Sequence, residues 1–276
     1  MQSALAARPH LTRLCGSALR LGAISRGPAR QQHRRGGGSG AAPARAFSSG
    51  AEMPLQYRPP IVVQPREKHT ATVIMLHGLG DSGDGWAAIG DEFAPATPHV
   101  KYIFPHSPLR SITINMGMKM PGWFDIVSLE DIDASEDGPG LVESKRYVES
   151  LVAAEEAAGV PSERVVVAGF SQGGAVALMM LRSERKLAGI VGLSTWLPLR
   201  NEEGVISAAN AGTPVLQCHG DADGVVAYSF GVATNKALKA LGADAEFLTV
   251  RGMGHSAVPS ELEAVQEFIK RVVPPA

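Results

Sequence analysis

Residues 165–180 read VVVAGFSQGGAVALMM. A β-branched apolar run ends at Gly169, and a run of small and apolar residues begins near Gly174. One hydroxyl, Ser171, stands between them, with glycines at 169 and 173. Gly169-Phe170-Ser171-Gln172-Gly173 is G-x-S-x-G, a pattern that is weak alone and stronger in this setting. A buried strand passing straight into a helix through such a corner has the layout of a nucleophile elbow. The glycines leave room where neighbouring chain passes without space for a Cβ. Ser171 is thereby forced into a strained geometry that lifts its hydroxyl above the sheet edge, and free N–H groups at the helix start can meet developing negative charge. A serine that merely caps a helix needs no glycine on both sides.

The surrounding sequence supplies a frame for that corner. The runs 70–76, 100–105, 164–169, 188–194, 213–220 and 245–250 read as strands, mostly short and apolar without strict alternation. Strands buried on both faces of a parallel sheet have this character. Helical segments fall between them at about 141–157, 173–183, 228–241 and 260–272. The last opens on Ser260-Glu261-Leu262-Glu263, a capping-box pattern. The alternation predicts an α/β fold: one domain, a mostly parallel central sheet with helices on both faces. In such sheets chemistry gathers beyond the carboxyl ends of the strands.

A serine hydroxyl needs a base to take its proton and an acid to orient that base. CHGDADGVV (218–226) offers His219, Asp221 and Asp223, and RGMGHSAV (251–258) offers His255. Serine, then aspartate, then histidine is the chain order of an α/β-hydrolase triad. Both Asp221 and Asp223 lie on one loop, and spacing does not choose between them. His219 and His77 each follow a strand and precede a glycine, and read as packing beside the site. An oxyanion hole needs two N–H donors. One is the backbone of Gln172, just after the serine; the other falls in MLHGLGDSGDGW (75–86), with Leu79 best placed. That loop lacks the Lys-Ser/Thr of a P-loop and the spacing of a dinucleotide fingerprint. There is no H-E-x-x-H and no Cys-x-x-Cys, so no metal is expected.

Composition bounds the remaining readings. The chain has 276 residues, 45% hydrophobic and 19% charged, enough for one ordinary core. No run approaches the roughly 18 apolar residues of a membrane span. Its two cysteines, Cys15 and Cys218, make no disulfide framework, and Cys218 reads as a reduced, buried thiol. Residues 1–50 hold eight arginines and no acid. Without them, 18 basic residues face 27 acidic ones, a net of −9, which argues against nucleic-acid binding. The leader is Arg-rich, with Leu11, Leu14, Ala18 and Leu21 on one helical face, and RAFSS (45–49) resembles a mitochondrial processing site after Phe47. The expected organisation is a transit peptide over 1–50 and a hydrolase domain over 51–276. The expected location is the mitochondrion, with plastid or cytoplasm as alternatives.

LHGLGDSGDGW (76–86), NMGMKMPGWFDI (115–126), GFSQGGA (169–175), STWLPLR (194–200), LQCHGDADGVV (216–226) and GMGHS (252–256) together resemble the acyl-protein thioesterases, also described as lysophospholipase-like carboxylesterases. The resemblance spans roughly residues 57–274, with the six blocks in family order. It implies an α/β-hydrolase that needs no cofactor and hydrolyses S-acyl thioesters of palmitoylated proteins and small carboxylic esters. It implies Ser171 as nucleophile, Asp223 as acid, His255 as base, and Leu79 and Gln172 as oxyanion donors. It also implies an acyl-chain channel walled by Ile126, Val127, Leu129, Trp196 and Val225, with Met116, Met118 and Met120 as adaptable lining. The partner is an acylated protein or a small acyl ester, with weak homodimerisation and no nucleic acid. Two positions depart from the family: Gly224 and Ala227 stand where prolines are frequent. The alternatives are a carboxylesterase or lysophospholipase for small substrates, and a catalytically silent ligand receptor.

Overall fold

The computed structural model describes residues 55–130 and 136–276. Nine strands and five α-helices occur among them: β1 (Ile61–Val63), β2 (Ala71–Leu76), α1 (Gly83–Phe93), β3 (Val100–Phe104), β4 (Leu109–Ile112), β5 (Met118–Pro121), α2 (Gly138–Ala157), β6 (Val165–Phe170), α3 (Gln172–Met179), β7 (Gly189–Leu193), β8 (Val215–Gly220), α4 (Tyr228–Ala240), β9 (Ala245–Val250) and α5 (Pro259–Val272). Seven strands form one sheet in the order β1-β3-β2-β6-β7-β8-β9. All its pairings are parallel except β1 on β3. β4 and β5 form a separate antiparallel hairpin.

The apolar runs lack alternation because both faces are covered. Along β2, Ile74 and Leu76 enter one core while Val73 and Met75 enter the other, as the two-residue period of a strand requires. The first core takes residues of α2, α3 and α4, such as Leu141, Val148, Val176 and Leu238. The second takes α1 and α5, including Trp86, Phe93, Leu262 and Phe268. The central strands β2, β6, β7 and β8 are buried along their whole length.

Three expectations need correction or addition. The glycine-rich stretch after β2 is loop only as far as Ser82, where α1 starts. Its glycines serve close packing: a Cβ on Gly83 would lie 2.3 Å from the Phe104 carbonyl oxygen. The β4–β5 hairpin turns through Met116, in the left-handed region at φ 57°, and Gly117 at φ 73°. Ser260 does not cap α5. That helix begins one residue earlier on Pro259, with Val258 at the N-cap and no side-chain cap bond, because proline at the first helical position is pre-set for the turn and has no N–H to satisfy. The transit-peptide reading lies outside the described residues.

Candidate active site

Ser171 sits between β6 and α3 with φ 54° and ψ −119°. A non-glycine residue there costs on the order of 1–3 kcal/mol and persists only where the surroundings enforce it. They do so here. The Ser171 N–H donates to the Leu193 carbonyl at 2.8 Å. The Ser171 carbonyl accepts from Thr195 Oγ1 at 2.7 Å. The two flanking glycines are sterically obligatory: a Cβ on Gly169 would meet the Gly173 backbone at 2.3 Å, and one on Gly173 would meet the Leu76 and His77 carbonyl oxygens at 2.5 Å.

The loops after β8 and β9 bring the partners. Ser171 Oγ lies 2.9 Å from His255 Nε2. His255 Nδ1 lies 2.8 Å from Asp223 Oδ2. With a carboxylate on one side, the Nδ1–H tautomer leaves Nε2 free to accept the serine proton. Asp223 Oδ1 accepts two backbone N–H groups, from Val225 and Val226, each at 2.9 Å. Burial pushes its carboxyl upward, but hydrogen bonds from His219 and His255 overcome this and hold it well below the usual carboxylate range. The geometry resolves the choice of aspartate. Asp221 is exposed, and its Oδ1 accepts from the Gly252 N–H at 2.6 Å. It ties the Asp223 loop to the His255 loop and does not touch the imidazole. The same two loops touch at Gly220, where a Cβ would lie 2.0 Å from the Met253 carbonyl oxygen.

Gln172 follows the serine as the first residue of α3, and Leu79 follows Gly78 in the loop after β2, where a Cβ on Gly78 would lie 3.5 Å from Ser171 Cβ. Their backbone N–H groups donate to no acceptor among the described residues, which suits them to an oxyanion. The Gln172 side chain has a separate task. Its Oε1 accepts from the Trp123 N–H at 2.9 Å and its Nε2 donates to the Phe124 carbonyl at 2.6 Å. The Trp123 indole donates to the His77 carbonyl at 2.8 Å. His77 is wholly buried, donates through Nδ1 to the Gly78 carbonyl and accepts from the Ser107 N–H at Nε2. Burial lowers its pKa to about 4, so it is a neutral strut of the loop that carries Leu79.

Ile126 and Trp196 are buried in the first core, with Leu79, Leu129 and Val225 packed against it. Trp196 meets Phe124 edge-on at 6.1 Å. Val127 is not brought into this cluster and is 43% exposed. Met116 and Met118 lie exposed on the β4–β5 hairpin. Cys218 is a free, buried thiol, and burial pushes its pKa up. Among the described residues no three His, Cys, Asp or Glu side chains group to hold a metal ion, and no helix is long and apolar enough to cross a membrane.

The Phospholipase/Carboxylesterase family model matches residues 58–273. The chain belongs to this family. Among curated relatives, acyl-protein thioesterase 1 of Neurospora crassa is 42% identical over 230 residues, covering 80% of this chain and 94% of the relative. Acyl-protein thioesterase 1 of Gibberella zeae is 43% identical over 226 residues, covering 78% and 96%. Among solved structures, Zea mays acyl-protein thioesterase 2 aligns with a TM-score of 0.69 at 32% identity, covering 78% of this chain and 98% of that one. Arabidopsis thaliana SOBER1 aligns with a TM-score of 0.70 at 31% identity, covering 74% and 99%. This member of the Phospholipase/Carboxylesterase family is therefore a serine hydrolase with the α/β-hydrolase fold. Two side-chain arrangements beside the site went unannounced by the motifs that contain them: the Gln172 side chain, which clamps the 123–124 backbone, and Glu261, buried on α5 with both carboxyl oxygens unpartnered among the described residues.

Proposed function

We propose that the protein hydrolyses acyl thioesters, including S-acylated proteins, and carboxylic esters through a Ser171 acyl-enzyme. Ser171 Oγ attacks the acyl carbonyl carbon while His255 Nε2 takes its proton. The oxyanion forms against the N–H groups of Leu79 and Gln172. Collapse breaks the C–S or C–O bond, and His255 returns the proton to the departing thiolate or alkoxide. Water then attacks the acyl-serine, giving a proton to His255. The carboxylic acid leaves, and the proton restores the serine hydroxyl. Asp223 keeps the imidazole in the required tautomer throughout. The observation that carries this reading is the unbroken Ser171–His255–Asp223 chain at 2.9 and 2.8 Å. The thioester preference rests on the names of the relatives.

A small-ester carboxylesterase is favoured by one observation. Ile126 and Trp196 are only 6% and 3% exposed, as packed core is and an open groove is not. The discriminating experiment measures kcat/KM for a palmitoyl-cysteine peptide and for a short-chain nitrophenyl ester, with Ser171→Ala as the blank. Preference for the peptide supports the thioesterase. Hydrolysis of the short ester alone supports the carboxylesterase, and turnover by Ser171→Ala near the wild-type rate overturns both. The proposal includes import into mitochondria, which rests on the acid-free, Arg-rich residues 1–50. A reporter fused after residue 50 that stays cytosolic and untrimmed would overturn that part alone.

A further inference from the structure

We propose that His219 is a positioning residue for the carboxylate of the Ser171–His255–Asp223 chain, a second imidazole on Asp223 that never meets substrate. The proposal rests on the function proposed above. His219 is the penultimate residue of β8 and is 1% exposed. Its Nε2 lies 3.0 Å from the Val226 carbonyl and 3.4 Å from Asp223 Oδ2. Both neighbours are acceptors, so Nε2 carries the hydrogen; it bonds to the Val226 carbonyl and lies against the Asp223 carboxylate. Asp223 Oδ2 therefore faces two imidazoles, and Oδ1 faces two backbone N–H groups.

The arrangement closes a small ring. Val226 gives its N–H to Asp223, and its carbonyl takes the hydrogen of His219. The carboxylate and the turn behind it are thus fixed from the floor of β8. Room has been made for the ring: a Cβ on Gly231 of α4 would lie 2.4 Å from His219 Nδ1. That clearance would serve any side chain of this volume, since His219 Cγ and Cβ lie 3.0 and 3.3 Å from the same point; what an apolar residue would lack is the N–H beside the Asp223 carboxylate. The other titratable groups around the pair are accounted for. Tyr228 of α4 stands edge-on to the ring at 5.9 Å, with its hydroxyl on Thr249. Glu261 of α5 acts on Asp223 through space. His255 closes the far side.

The chemical consequence follows from sharing one oxygen. A donor on Oδ2 draws electron density from the atom that must hold the imidazolium formed on His255. It also stops the carboxylate from rotating. Removing it leaves a more basic but less fixed acceptor, so turnover falls and the imidazole holds its proton to higher pH.

The test compares His219→Leu with His219→Gln in the full chain. Glutamine places an N–H close to the Nε2 position; leucine fills the volume with no donor. For His219→Leu, kcat on a short-chain ester should fall by about ten- to a hundredfold with KM little changed. The acid limb of kcat/KM should move upward by about half a pH unit or more. His219→Gln should recover most of both. Gly231→Ala, which keeps the imidazole but pushes on it, should move the same limb in the same direction. Wild-type pH profiles in His219→Leu and Gly231→Ala, with only a lowered Tm, would overturn the proposal and leave His219 as packing. If His219→Leu does not fold, the Gln and Gly231→Ala variants decide alone. Failure of a fluorophosphonate to label wild-type Ser171 would instead overturn the function on which the proposal rests.

Discussion

Replacing Asp223 by Asn tests the site at the point where the sequence was ambiguous and the structure is not. The amide cannot choose its orientation freely. Its oxygen must take the Oδ1 position, because two backbone N–H groups converge there at 2.9 Å each. Its NH2 must therefore replace Oδ2, facing His255 Nδ1 at 2.8 Å and His219 Nε2 at 3.4 Å. An N–H pointing at Nδ1 selects the imidazole tautomer with its hydrogen on Nε2, aimed at Ser171 Oγ. That tautomer cannot accept the serine proton. The expected loss in kcat is about 10⁴-fold, or about 5.4 kcal/mol of transition-state stabilisation. The fold should survive, since the turn keeps its acceptor. Asp221→Asn retains the oxygen that binds the Gly252 N–H and should change kcat less than about threefold. Steady-state ester hydrolysis, with circular dichroism to verify folding, reads both variants. Equal losses in the two, or a folded Asp223→Asn enzyme keeping a tenth of its activity, would refute the reasoning.

Glu261 predicts a pH dependence of stability. Burial, with a smaller push from the Asp223 charge, raises its carboxyl to about 8, whereas an unfolded glutamate titrates near ~4.3. Between those values the folded chain holds a proton that the unfolded chain has released, so stability falls as pH rises across the window. Glu261→Gln should be more stable than wild type at pH 9 and nearly equal at pH 4, measured by urea unfolding; parallel curves would refute this. Gly173→Ala, whose Cβ would meet carbonyl oxygens at 2.5 Å, should cost about 3 kcal/mol or more, while Gly224→Ala, with nothing within 4 Å, should be neutral or slightly stabilising; similar Tm values for the two would sink the steric argument. Ala227 has φ −54°, within the range of proline, so Ala227→Pro should raise stability by about 0.4–1 kcal/mol, and a lowered Tm would show that Val226 cannot accommodate the ring.

The parts legible in sequence were those where one signal dominated. The central strands β2, β6, β7 and β8 announced themselves because burial on both faces demands apolar runs, and β3 and β9 because enough apolar and β-branched residues remain in them. The elbow was legible because only glycine fits beside it. Helix α1 was hidden because Gly83, Gly85 and Gly90 lower helix propensity locally. The reason for two of them is long-range: Gly83 meets the Phe104 carbonyl, and Gly90 meets Phe104 and Val63 side chains. The β4–β5 hairpin was hidden because its half-exposed strands carry no apolar run. The false cap at Ser260 arose because a four-letter pattern ignores the proline before it. Asp223 came from family resemblance; its two backbone donors depend on how residues 223–226 turn, which composition does not encode.

The reacting chain joins positions far apart in sequence. His255 is 84 residues from Ser171 and 32 from Asp223. Each pair is set by parallel strands that must first find one another: the Ser171 N–H reaches Leu193 at the end of β7, and the Ser194 N–H reaches Cys218 within β8. Such non-local closure is entropically slow. Activity therefore requires the sheet to be assembled from β6 through β9. A chain ending before residue 255 carries the nucleophile but not the base that takes its proton, so it has no working serine.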